Sequence, residues 1–257
     1  MKWARARASD QTEIVGVVAD NMLHPRAALG SEASAGEPVA LSDVSLLPPV
    51  VPGKFFGLWN NFKAAAEKAG NEHPSHPLYF FKADTSLAGH GDEVELPASA
   101  GRVIFEGELG IVIGQQCKNA SPEEAEQAIF GYTCINDFTS LDILNADPSF
   151  PQWTRSKSFD GFGVVGPMIE TDLAWQEATI TVLVNGRERQ SYPASDMILP
   201  PAEIVRLLSQ DMTLNPGDLI ACGTSLGARP VKAGMEVEVV IEGIGGVSVT
   251  LTAATDA

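Results

Sequence analysis

Residues 103–113, which read VIFEGELGIVI, form the stretch that decides the fold. Aliphatic and aromatic residues dominate this stretch, and such residues favour a β-strand. Side chains alternate across a strand, so Glu106 and Glu108 should lie on one face. The opposite face, which we expect to belong to the core, carries Phe105, Leu109, Ile111 and Ile113.

The glutamate pair permits two interpretations. Like charges held close together resist joint ionisation unless an opposite charge compensates them. A hard divalent cation is one such compensator, because it binds carboxylate oxygens readily. The alternative is two solvated glutamates on the wet face of an antiparallel sheet, and the pair alone leaves both interpretations open.

Composition narrows the classes of function. The chain has 257 residues and a net charge of −16, which argues against nucleic acid as a partner. Cys117, Cys134 and Cys222 are odd in number and widely spaced, so we expect reduced thiols in a cytoplasmic protein. The sequence has no apolar run of membrane-spanning length and no signal-peptide pattern, so we expect no membrane association.

The proline-rich segment 47–53 is the expected boundary between two parts of the chain. Residues 1–50 are predicted to form a small N-terminal domain of short strands and loops. Residues 51–257 are predicted to form a larger, β-rich α+β domain with few helices.

Three helices are marked by their ends. The first should be capped by Asn60 or Asn61 and should stop at Gly70. The second should begin after Ser121, which forms a capping box with Glu124. The third should begin at Pro200 and Pro201.

Three further residues could join the glutamates in a site. Asp137 ends a predicted strand, where a carboxylate can face a cleft, although a turn residue is the simpler interpretation. Lys157 stands in a segment where cations adjoin apolar residues, although most lysines are solvated. Thr224 follows a glycine after a strand and could bind a substrate carboxylate, or could belong to an ordinary turn.

Five motifs resemble, in the same order, those of the fumarylacetoacetate hydrolase family. They are Phe-Glu-x-Glu-Leu-Gly at 105–110, Asn-Asp at 136–137, Lys-x-Phe-Asp-x-Phe at 157–162, Pro-Gly-Asp-x-Ile-x-x-Gly-Thr at 216–224 and Ile-Glu-Gly-Ile-Gly at 241–245. The resemblance covers residues 51–251. It implies a β-rich mixed-sheet roll with a small N-terminal domain, usually in a homodimer.

The resemblance also implies the roles of the site residues. Metal ligands fall on Glu106, Glu108 and Asp137, which would hold Mg²⁺ or Mn²⁺. The active-site lysine falls on Lys157 and the substrate-binding threonine on Thr224.

Three further residues complete the set of candidate site residues. Lys82 and Phe162 are candidate substrate contacts, and Glu67 is a candidate catalytic residue.

The chain departs from the family pattern on its first helix. Many members carry Asn-Tyr-x-x-His-x-x-Glu there, and the matching residues 60–67 keep Glu67 but place Ala64 at the histidine position. Alanine cannot move a proton, so the pair that activates water in the family is broken. Glu67 alone, His73 or His76 could serve instead. A second departure, at 139–144, lacks the family's Arg and Gln and predicts a different or more apolar substrate pocket.

These features leave three functional hypotheses. The first is a Mg²⁺-dependent hydrolase that cleaves C–C bonds of acylpyruvate-type or other 1,3-diketo acids. The second is an isomerase or decarboxylase of 2-hydroxy-dienoate or 2-oxo acids in aromatic catabolism, which the missing histidine would affect less. The third is a non-catalytic metal-binding relative.

Overall fold

The computed structural model describes residues 1–254, so the last three residues of the larger predicted domain lie outside the described range. Within that range the chain forms nineteen strands and five α-helices, joined by loops and short 3-10 turns. The strands are β1 Lys2–Ala8, β2 Glu13–Ala19, β3 Met22–Pro25, β4 Val39–Ala40, β5 Val44–Leu47, β6 Phe55–Trp59, β7 Leu78–Phe81, β8 Leu87–Ala88, β9 Glu93–Leu96, β10 Val103–Ile104, β11 Gly107–Ile113, β12 Ile129–Asp137, β13 Thr139–Ser140, β14 Gly163–Glu170, β15 Thr179–Val184, β16 Arg187–Pro193, β17 Leu219–Ala221, β18 Glu236–Ile241 and β19 Gly245–Ala253. The helices are α1 Lys63–Ala69, α2 Pro122–Ala128, α3 Leu141–Leu144, α4 Trp153–Lys157 and α5 Pro201–Asp211.

Two large sheets organise these elements. A twelve-stranded mixed sheet contains the path β4-β3-β2-β1-β14-β12-β11-β17-β6-β7, and β5 and β8 pair with it off this path. A five-stranded sheet has the order β16-β15-β18-β19-β9. The β-rich α+β fold predicted from the sequence is confirmed.

The stretch 103–113 is two strands and not the single strand that its composition predicted. β10 pairs with β13, whereas β11 pairs with β12 in the larger sheet. The break falls at Phe105 and Glu106, whose N–H groups bond outside the ladder, although the Glu106 carbonyl still accepts a hydrogen bond from the Asp137 N–H at 2.9 Å. The Phe105 N–H donates to the Arg229 carbonyl and the Glu106 N–H donates to the Asn136 side chain.

Both faces of β11 are buried, so the interpretation of a wet face is wrong. Leu109, Ile111 and Ile113 pack into the main apolar core, as predicted. On the other face, Val112 belongs to a second apolar cluster that also contains Trp3 and Phe55. Glu106 and Glu108 therefore lie at the end of a buried face.

The helix predictions were right in position and partly wrong at their ends. The N-cap residue of α1 is Phe62, which makes no side-chain hydrogen bond to the helix, and not one of the predicted asparagines. Gly70 ends the helix in a left-handed conformation with φ of 71°, as predicted. Asn61 is instead buried and bonded to Leu199 and Cys222. The capping box of Ser121 is present as predicted.

The N-terminal strands continue the larger sheet. β1 pairs with β14 as well as with β2, and Trp3 contacts the Phe130 ring at 5.6 Å between centroids. The division of the chain at residue 50 stays a prediction. Among the described helices, none is long and apolar enough to cross a membrane.

Candidate metal centre

Strand register brings the three predicted metal ligands together. The antiparallel register that pairs Ile104 with Thr139 and Gly107 with Asn136 places Glu106 directly across from Asp137. Directly opposed residues share a face, as do residues two apart on one strand, so Glu108 joins them. Carboxylate oxygens of Glu106, Glu108 and Asp137 lie within 4.8 Å of one another.

Burial makes this cluster electrostatically costly. Glu108 and Asp137 are buried, whereas the Glu106 side chain keeps 17% of its surface exposed. Burial, followed by the negative charge of Asp137, raises the pKa of Glu108 well above its usual range. Burial also raises the pKa of Glu106, and Lys157 opposes that shift. The charged cluster therefore calls for nearby cations.

Two buried lysines supply part of the positive charge. The Nζ of Lys157 donates to Glu106 Oε2 and Asp137 Oδ2, both at 2.5 Å. Lys82 Nζ donates to the other Asp137 oxygen at 2.6 Å and to the carbonyl of Lys157. Burial opposes the charged form of Lys157, but Asp137 and Glu106 outweigh burial and raise its pKa above the usual range. Burial lowers the pKa of Lys82, against the pull of Asp137.

The donor set fits a hard divalent cation. With every group ionised, three carboxylates and two ammonium groups leave one negative charge that no described side chain in the cluster balances. Mg²⁺ and Mn²⁺ prefer oxygen ligands of this kind and keep positions for water or substrate. Only one oxygen of Glu108 has a hydrogen-bond partner among the described residues, the Gly223 N–H at 2.7 Å. Glu108 therefore retains a free oxygen for a cation.

The predicted substrate-binding turn adjoins the carboxylates. Gly223 adopts a φ of +92°, a conformation that favours glycine, and its N–H holds Glu108. The Thr224 hydroxyl donates to the Gly107 carbonyl at 3.1 Å and accepts from Gln190 Nε2 at 2.9 Å. Its side chain is thus engaged within the protein.

The structure places the other candidates differently. Phe162 is fully buried between Phe138 and Phe159, so its side chain offers no surface to a substrate in this conformation. Glu67 lies on the exposed surface of α1. No hydrogen bond or ion pair among residues 1–254 links Glu67 to the carboxylates.

No described hydrogen bond or ion pair links His73 or His76 to the carboxylates. His73 is exposed, and His76 Nε2 lies 3.7 Å from Asp211 Oδ2 at the end of α5. Their catalytic role, like that of Glu67, stays a prediction.

Sequence reasoning missed two contributors to the site and gave a third, Lys82, a different role. Lys82 was expected to contact substrate, but it pairs with Asp137. Gln190 and Tyr192 were not considered, yet both bond to the Gly107 peptide between the two glutamates. The signal for these two is their alternation on a strand next to Asn185-Gly186, which by itself indicates only two inward-facing residues.

Comparison with known proteins identifies the family. Residues 54–252 match the model of the fumarylacetoacetate (FAA) hydrolase C-terminal domain. The chain belongs to the fumarylacetoacetate hydrolase family. An uncharacterized family relative from Archaeoglobus fulgidus is 40% identical over 210 residues, which cover 82% of this chain and 83% of that protein.

Solved structures that are similar to this member of the fumarylacetoacetate hydrolase family include an isomerase and a hydrolase. The 2-hydroxyhepta-2,4-diene-1,7-dioate isomerase from Mycobacterium marinum is 34% identical with a TM-score of 0.89, and the match covers 100% of both chains. The maleylpyruvate hydrolase from Sphingobium sp. SYK-6, in complex with manganese(II) and pyruvate, is 27% identical with a TM-score of 0.80. That match covers 99% of this chain and 100% of the hydrolase. The family resemblance inferred from the five motifs is confirmed.

Proposed function

We propose that this protein is a divalent-metal-dependent enzyme that converts a 2-oxo or 1,3-diketo acid through its enolate. One observation carries the proposal: three carboxylates converge within 4.8 Å beside two buried lysines. A cation held by Glu106, Glu108 and Asp137, with Mg²⁺ first and Mn²⁺ second, would supply Lewis-acid stabilisation of negative charge on the substrate's enol oxygen.

The protein's own residues would add charge and orientation. Lys157 stays protonated because its pKa is raised, so it acts as a fixed positive charge toward a substrate carboxylate or enolate. Lys82 holds the second oxygen of Asp137 and so fixes the orientation of that carboxylate.

One backbone donor on the predicted substrate-binding turn remains for a substrate. The N–H of Thr224 has no acceptor within residues 1–254. An oxygen of a bound substrate would satisfy this donor, which supports recognition of an oxygen-rich, anionic substrate. Asn136 Nδ2 also has no hydrogen-bond partner among the described residues, but it is buried and lies on the face of β12 opposite Asp137, so it offers no surface to a substrate in this conformation.

Keto–enol isomerisation is the reaction that this geometry supports best. Hydrolysis of a C–C bond needs a base that activates water, whereas isomerisation needs proton transfers without an attacking water. Ala64 cannot act as that base, Glu67 and His73 are exposed, and His76 lies beside Asp211. No described hydrogen bond connects any of these three candidates to the carboxylates. The similarity to the M. marinum isomerase agrees with this choice.

C–C bond hydrolysis of acylpyruvate-type acids is the second candidate. The similarity to maleylpyruvate hydrolase, with its manganese ion and pyruvate, favours this reaction. Glu67 remains in α1 as the family residue that could support it.

A substrate panel of 2-oxo and 1,3-diketo acids separates the candidates. The purified protein with Mg²⁺ should change the enol absorbance of a 2-hydroxy-dienoate at constant carbon count. Release of two acids would instead establish hydrolysis, and release of carbon dioxide would establish decarboxylation. EDTA and Glu106→Gln should abolish the reaction, with exposed Glu93→Gln as the matched control. A folded, metal-loaded protein that turns over no member of the panel would support the non-catalytic hypothesis and contradict the proposal.

A further inference from the structure

On the side opposite β12, strand β11 lacks a neighbouring strand at the metal centre. β17 pairs with β11 only from Gly110 to Val112, and the Cys222 N–H reaches one residue further to the Leu109 carbonyl. Within the described residues, no strand pairs with Gly107 on that side of β11. The peptide groups between the two glutamates therefore need other partners.

Side chains of β16 provide these partners. Gln190 Oε1 accepts a hydrogen bond from the Gly107 N–H at 3.2 Å. The Tyr192 hydroxyl donates to the Gly107 carbonyl at 2.5 Å. Residues two apart share a face of a strand, and both side chains are buried, at 2% and 6% exposure. Together they stand where a neighbouring strand would otherwise lie.

Gln190 also links the backbone of Gly107, between the two glutamates, to the turn at Thr224. Its Nε2 donates to the Thr224 hydroxyl at 2.9 Å and to the Ser225 carbonyl at 3.1 Å. The buried side-chain amide of Gln190 thus bonds both to the Gly107 N–H, which lies between the predicted metal ligands, and to the predicted substrate-binding turn.

Two glycines, Gly107 and Gly227, allow neighbouring side chains to pack closely around the Gln190 amide. A Cβ at position 107 would lie 2.3 Å from Val182 Cγ2, and one at position 227 would lie 3.1 Å from Gln190 Cγ. The packing around the Gln190 amide therefore leaves little freedom for Glu106 and Glu108 to move apart.

We propose that Gln190 and Tyr192 are positioning residues that fix the spacing of the metal-binding glutamates, and that Gln190 couples this spacing to the Thr224 turn. The inference rests on the metal centre of the proposed function. Partners that orient metal ligands typically contribute roughly 10–100-fold to metal affinity or activity.

Mn²⁺ binding to the purified protein, measured by electron paramagnetic resonance, tests the inference. Gln190→Met keeps the side-chain volume but removes every hydrogen bond of the amide, and Tyr192→Phe removes one hydroxyl. Each should weaken Mn²⁺ binding by about 10-fold or more. Ser191→Ala is the matched control, because Ser191 lies between them on the exposed face of β16 and should bind Mn²⁺ like the wild type.

Thermal unfolding without metal separates positioning from general stability. If both variants lost thermal stability but bound Mn²⁺ with unchanged affinity, their role would be structural only and the inference would fail. If Gln190→Met did not fold, the milder Tyr192→Phe would decide. A wild-type protein that bound no Mn²⁺ would overturn the proposed function itself, which is a different outcome.

Discussion

At the scale of single residues, Asp137 organises the charges of the site. Its two oxygens accept hydrogen bonds from two different buried lysines, Lys82 and Lys157. Lys157 also reaches Glu106, so the cations and carboxylates form one continuous network. The motif Asn-Asp and the glutamate pair could be read from the sequence. The pairing of Lys82 with Asp137 could not, because it depends on the folding of β7 beside α4.

Removing the charge of Lys157 should separate metal binding from catalysis. Lys157→Met removes a positive charge beside Glu106 and Asp137, so Mn²⁺ should bind at least as tightly. Turnover should fall by about 100-fold or more, because the fixed positive charge of the Lys157 ammonium group is lost. Without metal, the broken buried pair should cost about 3–5 kcal/mol of stability. Calorimetric metal titration, steady-state kinetics and thermal unfolding give the three values. The exposed Lys68→Met is the control, and turnover equal to wild type in Lys157→Met would contradict its role.

The pH dependence of metal stabilisation follows from the raised pKa values of Glu106 and Glu108. A carboxyl whose pKa is higher in the folded state contributes stability below its unfolded pKa, and that stability is lost as pH rises through the folded pKa. The metal-free protein should therefore carry an electrostatic penalty at neutral pH that a cation relieves. Protons compete with the cation at lower pH.

The increase in Tm caused by Mg²⁺ should consequently be larger at pH 7.5 than at pH 5. At a concentration of about 100 Kd, binding adds about 2.7 kcal/mol to the free energy of unfolding. Scanning calorimetry at both pH values, with Glu108→Gln as the comparison, measures the difference. An equal increase at both pH values would show that these carboxyls do not bind the ion.

At the scale of elements, the antiparallel pairing of β11 and β12 creates the site. Its apolar face and its three carboxylates were predictable from alternation and strand ends. The break at Phe105 and Glu106 was not, because it depends on hydrogen bonds to the distant Arg229 and to the Asn136 side chain. The burial of both strand faces was likewise unpredictable, since it requires the second apolar cluster, to which strands distant in sequence such as β1 and β14 contribute.

The narrow gap between β11 and β15 gives a prediction for Gly107. In Gly107→Ala the new methyl group would meet Val182 Cγ2 at 2.3 Å, so either the buried Val182 side chain or β11 must shift, and a shift of β11 would change the glutamate spacing. Mn²⁺ binding should weaken by about 10-fold or more. The double variant Gly107→Ala/Val182→Ala removes the clashing atoms and should recover part of the affinity. Failure of the second substitution to restore any binding would contradict this steric explanation.

At the scale of the whole molecule, the first strands complete the sheet that holds the site. Lys2 and Trp3 of β1 pair with Glu170 and Ile169 of β14, more than 160 residues away in sequence. Local patterns predicted only that residues 1–50 contain short strands and loops. They carry no information about such distant pairing, which is why the sequence suggested only a boundary near residue 50.

Trp3 should therefore stabilise the whole protein. It is buried against Phe130 within the second apolar cluster, so Trp3→Ala should cost about 3–5 kcal/mol. Trp59→Ala is the control, because Trp59 is 42% exposed and its loss should lower the free energy of unfolding less. Urea unfolding monitored by circular dichroism measures both. Equal losses for the two variants would indicate that the N-terminal strands contribute little to the common core.

The location of a bound metal ion tests the central claim most directly. Crystals soaked in Mn²⁺ and measured near the manganese absorption edge should show an anomalous peak within coordination distance of Glu106, Glu108 and Asp137. A peak at another position, or none while these carboxylates remain bonded to Lys157 and Lys82, would contradict the account.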